Sequence, residues 1–198
     1  MDRGTIYTIG HSTRSIEEFN DLLRAYAIEL LVDVRTIPGS RRNPQYNQSE
    51  LKKDLEGRGI GYLHLKELGG LRHPTKASVN RGWTNAAFRG FADHMQTPEF
   101  IKGIGQLIEA SKMKTTVIMC AEAVPWHCHR SLLGDALLVR GLEVVDILSE
   151  KKSQPHLLTS WTKVEGINIT YPEPAQSNGF PGGDTRPRSD DGSIEANS

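Results

Sequence analysis

The chain is poor in cysteine and has no surplus of either charge. Only Cys120 and Cys128 occur in 198 residues, and 24 Lys plus Arg balance 24 Asp plus Glu, so the formal net charge is zero. Two cysteines make no disulfide framework of the kind that staples small secreted domains. Balanced charge gives no support to a nonspecific nucleic-acid binder, which usually carries a basic excess, although it leaves room for a local basic patch. No apolar run approaches membrane-spanning length. The opening "MDRGTIYTIGH" is too short and too polar for a secretory signal core. These absences lead to the expectation of a cytoplasmic protein with reduced thiols and no membrane partner. The length suits one domain with a full hydrophobic core.

What is present is an alternation of two periods. "TIYTIG" (5–10) is a short β-branched run. Ser15 and Glu18 then form a capping box, followed by Ile16, Phe19, Leu22, Leu23 and Tyr26 at helical spacing. "IELLVDV" (28–34) is a continuous apolar run of the buried parallel kind. Asn47 and Glu50 frame a second helix start, with Leu51 and Leu55 on one face and Gly57 as its stop. "IGYLHL" (60–65) predicts a third strand. Two helices follow, one carrying Phe88, Phe91, Ala92 and Met95, the other opening at Thr97-Pro98. "TTVIMC" (115–120) and "LEVVDIL" (142–148) predict strands four and five, with a helix between them ended by Gly141. Strand–helix alternation predicts a single α/β domain over residues 1–172: a mainly parallel, five-stranded, Rossmann-like sheet with helices on both faces. "LTSWTKVEGINITYP" (158–172) reads as a late hairpin turning at Glu165-Gly166. Residues 173–198 are Pro, Gly, Ser, Asn and Asp with few apolar side chains, and read as a disordered polar tail.

The chemistry-bearing residues cluster after strand ends. His11, Ser12 and Arg14 follow the first strand. Asp33, Arg35, Ser40, Arg41, Arg42 and Tyr46 close or follow the second. Tyr62 and His64 share one face of the third. Cys120, Glu122, His127, Cys128, His129 and Arg130 close and follow the fourth. In an open parallel sheet those ends share one rim, where ligands bind at a topological switch point. The arginines, and a helix N-terminus beside Arg130, point to a small anionic ligand or a nucleic-acid component. The expected substrate-binding set is Ser12, Arg35, Arg41, Arg42, Tyr46, His64, Cys128 and Arg130. The expected acid–base set is Glu122, Asp33, His11 and His129, with Glu122 foremost because a partly desolvated turn would raise its pKa.

Plainer roles compete for the same residues. His11 can simply bond its loop, Asp33 can anchor Arg35, "SRRNP" can be a solvated loop, and Gly69-Gly70 can be only a turn. Glu122 can merely pair with Arg130. Cys120 at a strand end is more often an inert buried thiol, whereas Cys128 near a helix N-terminus has a reason for a lowered pKa. Cys120, Cys128 and His129 are donors suited to a divalent metal, but their spacing lacks the paired pattern of structural zinc sites, so no cofactor is expected. "GRGIG" (57–61) lies between helix and strand, the wrong order for a phosphate cradle.

Two resemblances follow from these motifs. "LVDVR" with a later cysteine loop and helix resembles the rhodanese layout. The Cys–five residues–Arg cradle of its phosphatase branch is absent, because Trp126 and Gly134 stand where the arginine would be when counting from Cys120 and Cys128. More specifically, "TIGHS", "VDVRTIPGSRRNPQYN", "YLHLKELGG", "NAAFRGFADHM", "MCAEAVPWHCHRS" and "PHLLTSWTKVEGINITYP" together resemble the domain-of-unknown-function family 488, over nearly all of residues 5–172. The resemblance implies a compact α/β domain of bacterial or archaeal type. It also implies that His11, Asp33, Arg35, Arg41, Arg42, His64, Glu122, Cys128, His129 and Arg130 share one site, without supplying a reaction. Three functions stay open: an enzyme, hydrolase or transferase, acting at a glycosidic or phosphoryl centre of a phosphorylated, nucleotide-like substrate; thiol or sulfur-transfer chemistry at Cys120 or Cys128; and a noncatalytic anion or nucleic-acid binding module.

Overall fold

A computed structural model describes residues 4–173. The expected tail therefore lies, but for Glu173, outside the described residues. The elements in order are β1 (Thr5–Gly10), α1 (Ile16–Ala25), β2 (Leu30–Asp33), α2 (Gln48–Gly57), β3 (Gly61–His64), α3 (Ala86–His94), α4 (Pro98–Ser111), β4 (Thr116–Cys120), α5 (Arg130–Leu138), β5 (Glu143–Ser149), β6 (Lys152–Pro155), β7 (Lys163–Glu165) and β8 (Asn168–Thr170). The main sheet runs β3-β2-β4-β1-β5-β6, parallel except for β6, and β7 pairs with β8 in a separate hairpin. No described helix is long and apolar enough to cross a membrane.

Sequence patterning located the parallel strands and missed the sixth. "KSQP" (152–155) carries no apolar alternation, since it is a mostly exposed edge strand held by antiparallel bonds to β5. Its lysine and proline suit an edge that must not recruit another strand. The Ser15–Glu18 capping box forms in both directions. Thr97 caps α4 through the Phe100 amide. Asn47 occupies the N-cap of α2, yet its Oδ1 accepts from the Ser40 amide at 2.7 Å and so fastens the 39–47 loop. The left-handed residue that ends α2 is Gly59 (φ 77°), two places beyond the expected stop at Gly57.

Strand alternation divides the core. Ile118 and Cys120 point to the face covered by α3, α4 and α5, with Phe91, Ile104 and Leu132. Val117 and Met119 point to the other, with Phe19, Leu23, Leu51 and Leu55 from α1 and α2. Each such side chain, fully buried, contributes about 1.5–3 kcal/mol of transfer free energy. β1 and β4 are neighbours in register, Gly10 opposite Cys120. The chain leaves β1 for α1 on one face and leaves β4 for α5 on the other. The crevice between their ends is the switch point.

Below that point the core holds a polar chain. Thr8 Oγ1 donates to Asp146 Oδ1 at 2.6 Å, and His156 bridges Asp146 Oδ2 (3.2 Å) to Asp135 Oδ1 (3.1 Å). Tyr171 donates its hydroxyl to Asp135 Oδ2 at 2.8 Å. α5 admits the imidazole only because residue 134 is glycine, whose Cβ would lie 2.7 Å from the ring. Burial alone would push the His156 imidazolium down, but hydrogen bonds and charges from Asp135 and Asp146 outweigh it and raise its pKa to about 9. Burial, with a smaller push from Arg35, instead lowers His11 to about 4.

The pH dependence of folding stability follows with a defined sign. The raised His156 stabilises fully below its unfolded value of 6.5 and loses that contribution as pH climbs through about 9. The lowered His11 is the reverse: its contribution is present above 6.5 and falls away as pH drops towards 4. Urea unfolding should show a maximum near neutrality and an alkaline loss on the order of 2–4 kcal/mol. In His156→Asn the alkaline limb should vanish. A limb of unchanged slope in that variant would show that some other group causes it.

Candidate active site

A cavity of about 470 Å³ opens at the switch point, lined among others by His11, Ser12, Arg35, Ser40, Glu122, Cys120 and His129. Its two sides are latched by the backbone. The His11 amide donates to Cys120 O at 3.0 Å, and the Ser12 amide to Ala121 O at 2.8 Å. Ser12 takes a left-handed conformation (φ 51°) to do so. Gly10 approaches Glu122 so closely that any Cβ would overlap its carbonyl.

Most of the expected binding residues are committed to one another. Asp33 is fully buried and accepts from the Arg35 amide at 3.0 Å, from Arg35 Nη2 at 2.6 Å and from the Tyr62 hydroxyl at 2.8 Å. This carboxylate anchors Arg35, as the plainer reading had it, and has no free face for acid–base work. Arg35 Nη2 also donates to Tyr46 O at 2.8 Å. Tyr46 is buried with its hydroxyl donating to Arg14 O, and its ring stacks on His11 with centroids 4.0 Å apart. Tyr46 supports the site from beneath; its hydroxyl points away from any ligand. His11 bonds Ser12 O through Nδ1 at 2.8 Å. His64 Nε2 donates to Arg35 O at 2.9 Å and stands outside the cavity lining. Arg41 and Arg42 are exposed and do not line the cavity, though their neighbours Ser40 and Asn43 do.

Arg130 corrects the expectation most. It is 1 % exposed, the largest fully buried side chain, with Nη1 donating to Thr8 Oγ1 (3.3 Å) and Nη2 to Glu122 O (2.5 Å). It clamps the loop after β4 from below and does not face the rim. Glu122 lines the cavity but is exposed, so the turn does not desolvate it. Its link to Arg130 runs through its backbone carbonyl, which neither the catalytic nor the ion-pair expectation foresaw.

The thiols and His129 remain. His129 Nε2 donates to Val34 O at 3.2 Å, which turns Nδ1 towards both sulfurs: Cys128 Sγ at 3.5 Å and Cys120 Sγ at 3.9 Å. The ring is braced edge-on against Phe91. A hydrogen bond between the sulfurs, then burial, pushes the Cys120 thiol up. The same bond pulls Cys128 down against its burial, with His129 and the buried Arg130 charge helping. The pair therefore loses one proton readily and holds the other tightly. Cys120 reaches the cavity wall and Cys128 does not. The three donor atoms lie within 4.8 Å of one another, the one such group of metal-type donors among the described residues. Sequence reasoning missed the supports of this cluster: Val34 O, Phe91, and Gly70, against which His129 packs so tightly that a Cβ would overlap the ring. For Gly70 the visible signal was the Gly69-Gly70 pair.

The fold and site define an α/β protein with a thiol–imidazole cluster at its switch point. The profile of the domain of unknown function DUF488 matches residues 15–137, and the chain belongs to that family. No curated protein and no solved structure matches it.

Gly70→Ala tests the bracing of His129. The added methyl should displace the ring, slow alkylation of the thiols at neutral pH by about tenfold and cost about 1–3 kcal/mol of stability. Timed alkylation read by mass spectrometry, beside a melting curve, checks both. Unchanged alkylation would mean that Nδ1 does not govern the sulfurs.

Proposed function

We propose that this protein is a thiol enzyme of the sulfur-transfer type, with Cys120 as nucleophile and Cys128 and His129 holding the shared proton. The observation that carries this is His129 Nδ1 facing two buried sulfurs, one of which lies in the wall of a cavity. A neighbouring base and a third group that orients it make up the general pattern of an activated nucleophile; here the orienting group is the Val34 carbonyl. The alternative of a hydrolase on a phosphorylated substrate has lost its main supports, since Arg130 is buried, Arg35 is neutralised by Asp33, and only Arg41 and Arg42 are left near the mouth.

The chemistry balances for a persulfide donor, R–S–SH. The Cys120 proton passes to the Cys128 thiolate. The Cys120 thiolate attacks the outer sulfur of the donor, a Cys120–S–SH persulfide forms, and the donor S–S bond breaks. The leaving thiolate RS⁻ takes up the proton released by Cys128. An acceptor thiol later removes the outer sulfur by the same exchange, so no external oxidant or reductant is consumed. Exposed Arg41 and Arg42 favour an anionic donor.

The test is mass spectrometry of the protein after incubation with a persulfide donor, glutathione persulfide. Wild type should gain one sulfur atom on Cys120, and Cys128→Ser should gain it on the same residue but more slowly, since it lacks the thiolate that accepts the Cys120 proton. His129→Ala should gain it about tenfold or more slowly, and Cys120→Ser not at all. Sulfur found on Cys128 alone would reverse the roles. No loading of any variant, or a stoichiometric metal ion in the native mass that blocks loading, would overturn the reading, the latter in favour of a metal centre at the same three atoms.

A further inference from the structure

We infer that a second cleft, beside α5 on the same face of the sheet as the thiols, is a binding site for an organic cation with a methyl-sheathed charge, such as a quaternary ammonium. The cleft has a volume of about 540 Å³. All three tryptophans of the chain, Trp83, Trp126 and Trp161, line it. Trp126 and Trp161 stay 54 % and 39 % exposed although each is large and apolar. Trp83 and Trp161 meet edge to face with centroids 5.2 Å apart, so they make a corner, not a flat stack. Indole faces carry the negative side of a quadrupole and attract cations held over them.

The polar residues of the cleft have the complementary sign. No Lys or Arg lines it, whereas Asp146, His156 and Gln154 do. His156 lies between Asp146 and Asp135, one imidazolium between two carboxylates, which leaves the trio with a net negative charge. Two guanidinium groups lie near without lining it: Arg130 donates to Thr8 and to the Glu122 carbonyl, and Arg89 donates to the backbone carbonyl of Trp83. An anion would meet the indole faces and the carboxylates together and be repelled by both. A strongly hydrated cation would lose its shell to a mostly apolar wall. A cation whose charge is spread under methyl groups satisfies both the walls and the floor. The cavity volume suits a small molecule of this kind.

The three indoles make intrinsic fluorescence a direct reporter. The full chain is titrated with choline and, in parallel, with 3,3-dimethylbutan-1-ol, which has the same shape without the charge. Choline should give a saturable change and the alcohol at least about tenfold weaker binding. By calorimetry, Trp126→Ala and Trp161→Ala, each with its melting temperature preserved, should bind choline about fivefold or more weakly. Persulfide loading of Cys120 should be the same in both variants, which separates this site from the thiol chemistry. Equal binding of choline and the alcohol would reduce the cleft to an apolar surface and overturn the proposal. So would the lack of a saturable response to choline, or full affinity in both variants.

Discussion

A buried guanidinium with no carboxylate bonded to it is the constraint on which this molecule is built. Arg130 begins α5, runs under the sheet, and divides its donors between the Thr8 hydroxyl and the Glu122 carbonyl. Stranding such a charge inside a protein costs several kcal/mol unless its surroundings compensate. Compensation comes from two sides. Thr8 relays to Asp146 and its neighbours, and on the other side the thiol pair gives up a proton more easily because the charge is there. Gly10 has no side chain because the clamped Glu122 carbonyl occupies its place. The hold on the Glu122 carbonyl and a part of the lowered acidity constant of Cys128 follow from this one residue.

The architecture was legible in the sequence because the strands are short apolar or β-branched runs and two helices announce their caps, at Ser15 and Thr97. Convergence of the loops after the first four strands was legible too, because a parallel sheet puts those ends on one rim, and Gly70 and Leu71 after β3 line the cavity with the others. Side-chain direction was not. Arg35, Arg41, Arg42 and Arg130 are alike as letters, yet one is neutralised by Asp33, two are in solvent and one is buried. Asp33 and Tyr46 were read as groups for a ligand because sequence shows a donor's presence and not its partner. His64 was placed on the right strand, but its bond goes to the backbone of Arg35. The edge strand at Lys152–Pro155 escaped because hydrogen bonding to β5, not hydrophobic pattern, makes it a strand.

With the arginines accounted for, the site's chemistry passes from charge to sulfur. The Asp33–Arg35 pair, the neutral His11 and the stacked Tyr46 form a rigid wall whose polar groups satisfy one another. A wall of that kind holds geometry and does not move protons. His129 differs from that wall in that its Nδ1 faces two thiols. The tryptophan cleft lies beside α5, with Asp146 and His156 of the buried polar chain in its lining.

The central claim is that Cys120, Cys128 and His129 share protons as one unit. Ultraviolet thiolate absorbance recorded against pH tests it most directly. One thiolate equivalent should appear well below the ordinary cysteine value of about 8.5, and the second only well above it. In His129→Ala the first step should move up. Two thiols titrating together near the ordinary value, unaffected by His129, would contradict the account.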